Sequence, residues 1–282
     1  MKKILLLIDA LNFKTETLNF AAYIASQGAS KLVGVFIEPQ ELQASPTIKS
    51  IGGHLYVEEI TQSVEERKEE DTLIQKNIHL YKEACLQREV CASIHQYKKD
   101  TLKNIVHETR YADLVIVDPA LSLTSDKNIP SKLATEILAN AECPVLIAPE
   151  YFEQIDEVIF AFDGSKGAAF AIKQFYYQLH ELADKKITIV HINEGAINGR
   201  QAIQKSNFKE WLDMHFANIS FLELSGNPSD LLFKYFLENN ADNNKLLVMG
   251  AFGRSVLSSF FKPSTANLIM KAVDIPIFIT HY

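Results

Sequence analysis

The 282-residue chain has only three cysteines, Cys85, Cys91 and Cys143, and no CxxC pair. That count excludes a disulfide framework and a thiolate zinc site. All three are expected to be small buried hydrophobes in a reducing compartment. No apolar run approaches the roughly 20 residues a membrane helix needs. The first run, residues 4–8, follows Lys2-Lys3 as a secretory signal would, but Asp9 cuts it short of an h-region. Positive charge is also scarce. Lys and Arg number 28 against 35 Asp and Glu, a net charge of −7, with no basic stripe. A nucleic-acid partner and a membrane surface are therefore not expected. The acidic run at residues 65–71 is a solvated helix face.

The usual catalytic signatures are missing as well. There is no GxxxxGK(S/T), no HExxH and no GxSxG. Ser165 beside Lys166 has no histidine in register, and a turn is the expected structure there. The eight histidines are scattered, and His191 falls inside a strand as a core or rim residue. The 47% hydrophobic and 22% charged content fits a soluble globular protein, expected in the cytoplasm.

What the sequence does have is a repeat. Residues 4–8, 32–37, 91–95, 114–117 and 143–147 are apolar or β-prone runs, separated by helical stretches at 17–26, 60–88, 101–109 and 130–139. Asp100 can cap the third helix. Residues 40–59 carry Pro46, Gly52 and Gly53 without a clear period and are expected to be a loop. The pattern restarts with strands at 158–162, 187–192, 219–224, 246–249 and 275–279 and helices at 168–182 and 203–216. A helix start at 226–230 has Asn227 as its cap and Pro228 in the first turn. Asp9 aligns with Asp163, Pro130-Ser131 with Pro263-Ser264, and Cys143-Pro144 with Ile275-Pro276. The chain is thus expected to comprise two units, residues 1–150 and 151–282, with the boundary near residues 150–156. Alternating strands and helices predict an α/β fold of doubly wound parallel sheets with helices on both faces. Ligands of such sheets bind outside the carboxyl ends of the strands, at the switch point of strand order.

One stretch carries the chemistry. The strand at 246–249 runs into Gly250-Ala251-Phe252-Gly253, and nine residues later Pro263-Ser264-Thr265 opens a helix. Glycines after a strand let backbone approach a ligand. Free N–H groups at a helix start attract an anion. Together they suggest a phosphate cradle. The spacing of Gly250, Gly253 and Pro263-Ser264 resembles the G-2x-G-9x-G-(S/T) motif of the universal stress protein family, with Pro263 in place of the third glycine.

The resemblance covers the whole chain, as a tandem member with two fused domains. It implies five-stranded parallel sheets of the adenine nucleotide alpha hydrolase-like kind, paired as a pseudo-dimer through their last strands. It also implies an adenine nucleotide, ATP or AMP, bound in the second half, with magnesium as an accompanying ion. The matching positions are Asp163 near ribose or metal, Ile192 at the adenine edge, Met249, Gly250, Phe252 and Gly253 in the loop, and Ser264 and Thr265 at the phosphates. Asp163 is equally an Asx turn by its residue type. In the first half only Asp9 and Ser131 match; Asp118-Pro119 replaces the glycines, and no nucleotide is expected there. The implied function is a stress-response regulator without efficient catalysis. A slow magnesium-dependent ATPase and a nucleotide-free scaffold for a protein partner are the alternatives. A homo-dimer of the tandem chain is left open.

Overall fold

The computed structural model describes residues 2–38, 47–51, 54–58, 64–98, 101–122, 128–193, 199–225, 234–236, 244–251 and 273–281. The first half contains β1 (Lys3–Asp9), α1 (Thr15–Gln27), β2 (Lys31–Ile37), β3 (Thr47–Ile51), β4 (His54–Glu58) and α2 (Val64–Gln87). It continues with β5 (Cys91–Tyr97), α3 (Thr101–Thr109), β6 (Leu114–Val117), α4 (Lys132–Asn140) and β7 (Val145–Ile147). The second half contains β8 (Glu157–Phe162), α5 (Lys166–Leu179), a 3-10 turn (His180–Leu182), β9 (Lys186–Asn193) and α6 (Gly199–His215). It ends with β10 (Ile219–Ser225), β11 (Lys245–Ala251) and β12 (Ile277–His281).

Ten strands form one sheet in the order β10-β9-β8-β11-β12-β7-β6-β1-β2-β5. Each half is parallel within itself, and the halves meet in the antiparallel pair β12·β7. The expected α/β class and the pairing through the last strands are both present.

The apolar runs explain this arrangement. Side chains alternate across a strand, so a run without polar residues feeds two cores. Ile4, Leu6 and Ile8 enter one hydrophobic cluster, whereas Leu5 and Leu7 enter the other. The same split holds for Val158 and Phe160 against Ile159 and Ala161. The first cluster is covered by α1, α2, α5 and α6, and the second by α3 and α4 among the described helices. Both clusters run through both halves. Leu146 and Phe278, for example, share the first cluster, and Val145 and Ile279 share the second.

Three expectations need correction. Residues 47–58 are not loop; they hold the antiparallel hairpin β3·β4, which pairs Thr47 with Glu58 through Ile51 with His54. Gly52-Gly53 between two five-residue runs is the sequence mark of a two-residue hairpin. Cys91 is exposed at the start of the edge strand β5, whereas Cys85 and Cys143 are buried. The helix after β9 begins at Gly199, earlier than its apolar residues suggest. The expected caps at Asp100 and Asn227 lie outside the described residues.

Two outcomes follow from this packing. Val145, Leu146 and Ile147 are at most 2% exposed, as are Ile277, Phe278 and Ile279. Separating the halves would open both apolar edges, at about 1.5–3 kcal/mol for each large side chain returned to water. Residues 1–150 expressed alone should aggregate or self-associate, as read by sedimentation. A soluble monomer melting as cooperatively as the full chain would contradict the shared core. Burial also pushes the Cys143 thiol up to about 12, with Asp113 adding to the rise. Its thiolate fraction at pH 8 is then about one in ten thousand. A thiol reagent at pH 8 should label one cysteine of the native protein, Cys91, and three after unfolding.

Candidate functional site

Strand order reverses between β8 and β11 in the second half, and between β1 and β6 in the first. Lys245 pairs with Glu157 and Val248 with Phe160, so the two strands run in step toward their carboxyl ends. Two residues further on stand Gly250 and, on the other strand, Phe162 followed by Asp163. The fold thus brings Asp163, Met249 and Gly250 to one edge. Ile192 lies one strand further out, paired with Leu224 of β10. Phe252, Gly253, Ser264 and Thr265, with Arg254, Lys262 and Pro263, lie outside the described residues.

Asp163 closes a turn. Its Oδ1 accepts the Ser165 N–H at 2.8 Å, and Gly164 takes φ +79°, a conformation that favours glycine. Ser165 then caps α5 by accepting the Ala168 N–H at 3.1 Å. That turn contact uses one carboxylate oxygen of a half-buried side chain at the mouth of the switch point.

Gly250 does something the sequence did not disclose. A Cβ there would lie 2.4 Å from the carbonyl carbon of Gly167, 2.5 Å from its oxygen and 2.7 Å from the Ala168 nitrogen. The first turn of α5 therefore rests directly on β11, and the missing side chain is a packing requirement. Met249, beside it, is 6% exposed and belongs to the core below the site.

The matching edge of the first half is organised differently. A cleft of about 220 Å³ lies there, lined by Asp9, Asn12, Lys14, Thr17, Asp118 and Ser122 among others. Asp9 is held by its own loop: Oδ1 accepts the N–H groups of Leu11 at 2.9 Å and Asn12 at 3.0 Å, and Oδ2 accepts the Asn12 side-chain amide at 2.9 Å. Asp118 accepts the Ala120 N–H on Oδ1 at 2.8 Å and pairs with Lys14 through Oδ2 at 2.6 Å. Ser131 is fully buried as the N-cap of α4; its hydroxyl accepts the Ala134 N–H at 3.0 Å and donates to the Leu121 carbonyl. An anion entering this cleft would meet a carboxylate that already has its cation. Lys14, at the N-cap of α1, was not legible as a site residue. A lysine at a helix start is disfavoured by the dipole, and that local conflict was the available signal. With Lys14 half in solvent the pair contributes no more than about 1 kcal/mol.

Among the described residues no three His, Cys, Asp or Glu side chains come together as a metal-holding group. A magnesium ion at Asp163 would depend on phosphate oxygens and water for its other ligands. Among the same residues no helix is long and apolar enough to cross a membrane.

The fold and the site edge define a class: two doubly wound α/β halves joined edge to edge, each with a reversal of strand order. The sequence comparison narrows it. The universal stress protein Slr1230 of Synechocystis sp. is 22% identical over 300 aligned positions, covering 98% of this chain and 99% of that protein. A universal stress protein from Archaeoglobus fulgidus superposes with a TM-score of 0.67 at 13% identity, over 99% of this chain and 98% of that one. PA1789 of Pseudomonas aeruginosa, described as functionally unknown, superposes with a TM-score of 0.57 at 14% identity, over 100% and 92%. No family model matches the sequence. The chain resembles the universal stress proteins in tandem form, in sequence along its whole length and in fold.

The packing role of Gly250 is testable on its own. Gly250→Ala should lower stability by about 1–3 kcal/mol, the usual cost of forcing a methyl into a filled space. Urea unfolding measures it. Unchanged stability would mean that the glycine serves only an incoming ligand.

Proposed function

We propose that the protein is a stress-response regulator whose second unit, residues 151–282, binds one adenine nucleotide, ATP or AMP, at the β8/β11 switch point without efficient turnover. Asp163 would face the ribose or a phosphate-bound magnesium ion, the backbone at Ile192 the adenine edge, and Met249, Gly250, Phe252 and Gly253 the loop around the phosphates. Ser264 and Thr265 would close the site at a helix N-terminus. The first unit, residues 1–150, would keep the fold without the ligand.

The observation that carries this proposal is the contrast between the two switch points. In the first half the carboxylate of Asp118 stands where the second half has Gly250, and Lys14 neutralises it from within. In the second half Asp163 faces the edge from a turn that engages one of its oxygens. A phosphate entering the first-half cleft would have to compete with Asp118 for Lys14 and sit beside its carboxylate, which Gly250 does not present. With Pro263 unable to donate an N–H, the affinity is expected to be roughly micromolar to millimolar.

Titration calorimetry with ATP tests the assignment. Wild type and Asp118→Ala should each bind one nucleotide per chain, and Gly253→Asp should bind none. Two nucleotides on the wild type, or binding that survives Gly253→Asp, would overturn the asymmetric site. Denaturing the freshly purified protein and analysing the supernatant shows directly whether adenine nucleotide was carried along. Steady turnover lost in Asp163→Ala with binding intact would favour the ATPase alternative.

A further inference from the structure

The first-half cleft at the β1/β6 switch point offers a ligand one charge of each sign. Lys14 Nζ and Asp118 Oδ2 are 2.6 Å apart, and both residues line the cleft. Asp9, the third charged residue of the lining, is taken up by three hydrogen bonds within its own loop. The two partners of the pair are not equally free to move. The Asp118 side chain is 13% exposed, and its Oδ1 is fixed by the Ala120 N–H at 2.8 Å. The Lys14 side chain is 49% exposed and carries its charge on a flexible stem. The carboxylate is thus a fixed feature of the cleft, and the ammonium is a movable one. An ion pair with one partner half in solvent opens at small cost.

That asymmetry sorts the ligands. A lone cation at Asp118 would have to displace the ammonium of Lys14, which is tethered beside it at high effective concentration. A lone anion at Lys14 would lie against the Asp118 carboxylate. A molecule with both charges avoids each conflict. Its ammonium takes Asp118 Oδ2, Lys14 turns to its carboxylate, and one ion pair becomes two with no charge left over. Because Lys14 is the N-cap of α1, the incoming carboxylate also offsets the lysine that the helix dipole disfavours. Local conflicts of that kind gather at functional sites. The cleft, about 220 Å³, is smaller than the pockets of drug-sized ligands, about 300–1,000 Å³. It suits a molecule well smaller than a nucleotide. Ile8, Phe13 and Leu18 supply an apolar wall beside the charged pair.

We propose that this cleft binds a small aliphatic α-amino acid. The ammonium sits on Asp118, the carboxylate on Lys14, and the side chain lies against the apolar wall. The second half has Gly250 where the first has Asp118, so the site belongs to the first unit alone. It is separate from the β8/β11 switch point and does not depend on nucleotide binding.

L-Leucine is the probe, observed through its methyl groups by saturation-transfer NMR on the full-length protein. The controls are 3-methylbutylamine and 4-methylpentanoate, each of which lacks one charge of leucine. Wild type should bind leucine with a Kd in the millimolar range or tighter, and each control about tenfold more weakly or worse. Asp118→Asn and Lys14→Gln should each weaken leucine by about tenfold or more. Saturating ATP should leave the leucine signal unchanged. If the wild type gives no saturable leucine signal, the proposal fails. It fails equally if either control binds as tightly as leucine, if ATP displaces leucine, or if either variant, folded by circular dichroism, binds leucine as the wild type does.

Discussion

Three residue pairs hold the architecture together: Val145 with Ile279, Leu146 with Phe278, and Ile147 with Ile277. They form the one antiparallel contact in a ten-stranded sheet whose other pairs are parallel. Without it each half would present an apolar strand edge, the feature soluble proteins avoid most consistently. With it the two sheets become one, and the hydrophobic clusters on both faces become continuous. Leu146 and Phe278 enter the first cluster side by side, and their strand neighbours enter the second. The pairing also sets where ligands can enter. Because strand direction reverses across the seam, the carboxyl edges of the two halves open on opposite edges of the sheet. The two switch points are therefore far apart in the topology.

The two switch points differ residue by residue. Both first turns keep an aspartate, because an Asx turn is the simplest way to reverse the chain after a buried strand. Asp9 is immobilised by three hydrogen bonds within its own loop, whereas the Asp163 turn contact is a single bond. At the fourth strand the halves separate completely. The second half needs glycine at 250 because α5 begins against its backbone. The first half has Asp118 there, and the carboxylate is tolerable because Lys14 stands at the start of α1 to pair with it. The lysine offends the helix dipole and the aspartate occupies a poorly solvated cleft, yet each removes the other's penalty. A phosphate would have to compete with that internal carboxylate.

Legibility in the sequence followed burial. Strands buried on both faces announced themselves: Ile4 to Ile8, Leu114 to Val117 and Val158 to Phe162 have no polar interruption, and their order fixed the repeat. The hairpin at 47–58 was harder, because Thr47, Lys49, Glu58 and their neighbours make the alternation look like loop. Its signal lay in Gly52-Gly53 instead. Cys91 was misplaced for a related reason, since a cysteine in a strand looks apolar unless the strand is known to be an edge. Topology decided that. Of the candidate site, the residue types were legible and the packing was not. Gly250 looked like a ligand glycine because the motif surrounds it, but its neighbour is Gly167, 83 positions away in sequence. Contacts across such a separation leave no local pattern.

The connection between the halves makes the two flanks of the seam unequal. In a symmetric pair of separate chains both flanks would be alike. Joining two units requires one connection, and that connection covers one flank: Phe152 is seated against α1, and Asp274 holds the segment by two backbone N–H groups. The opposite flank is built differently. Gln174 stands where the N-cap alignment of α1 and α5 has Tyr23, and Arg110 holds both oxygens of Glu142.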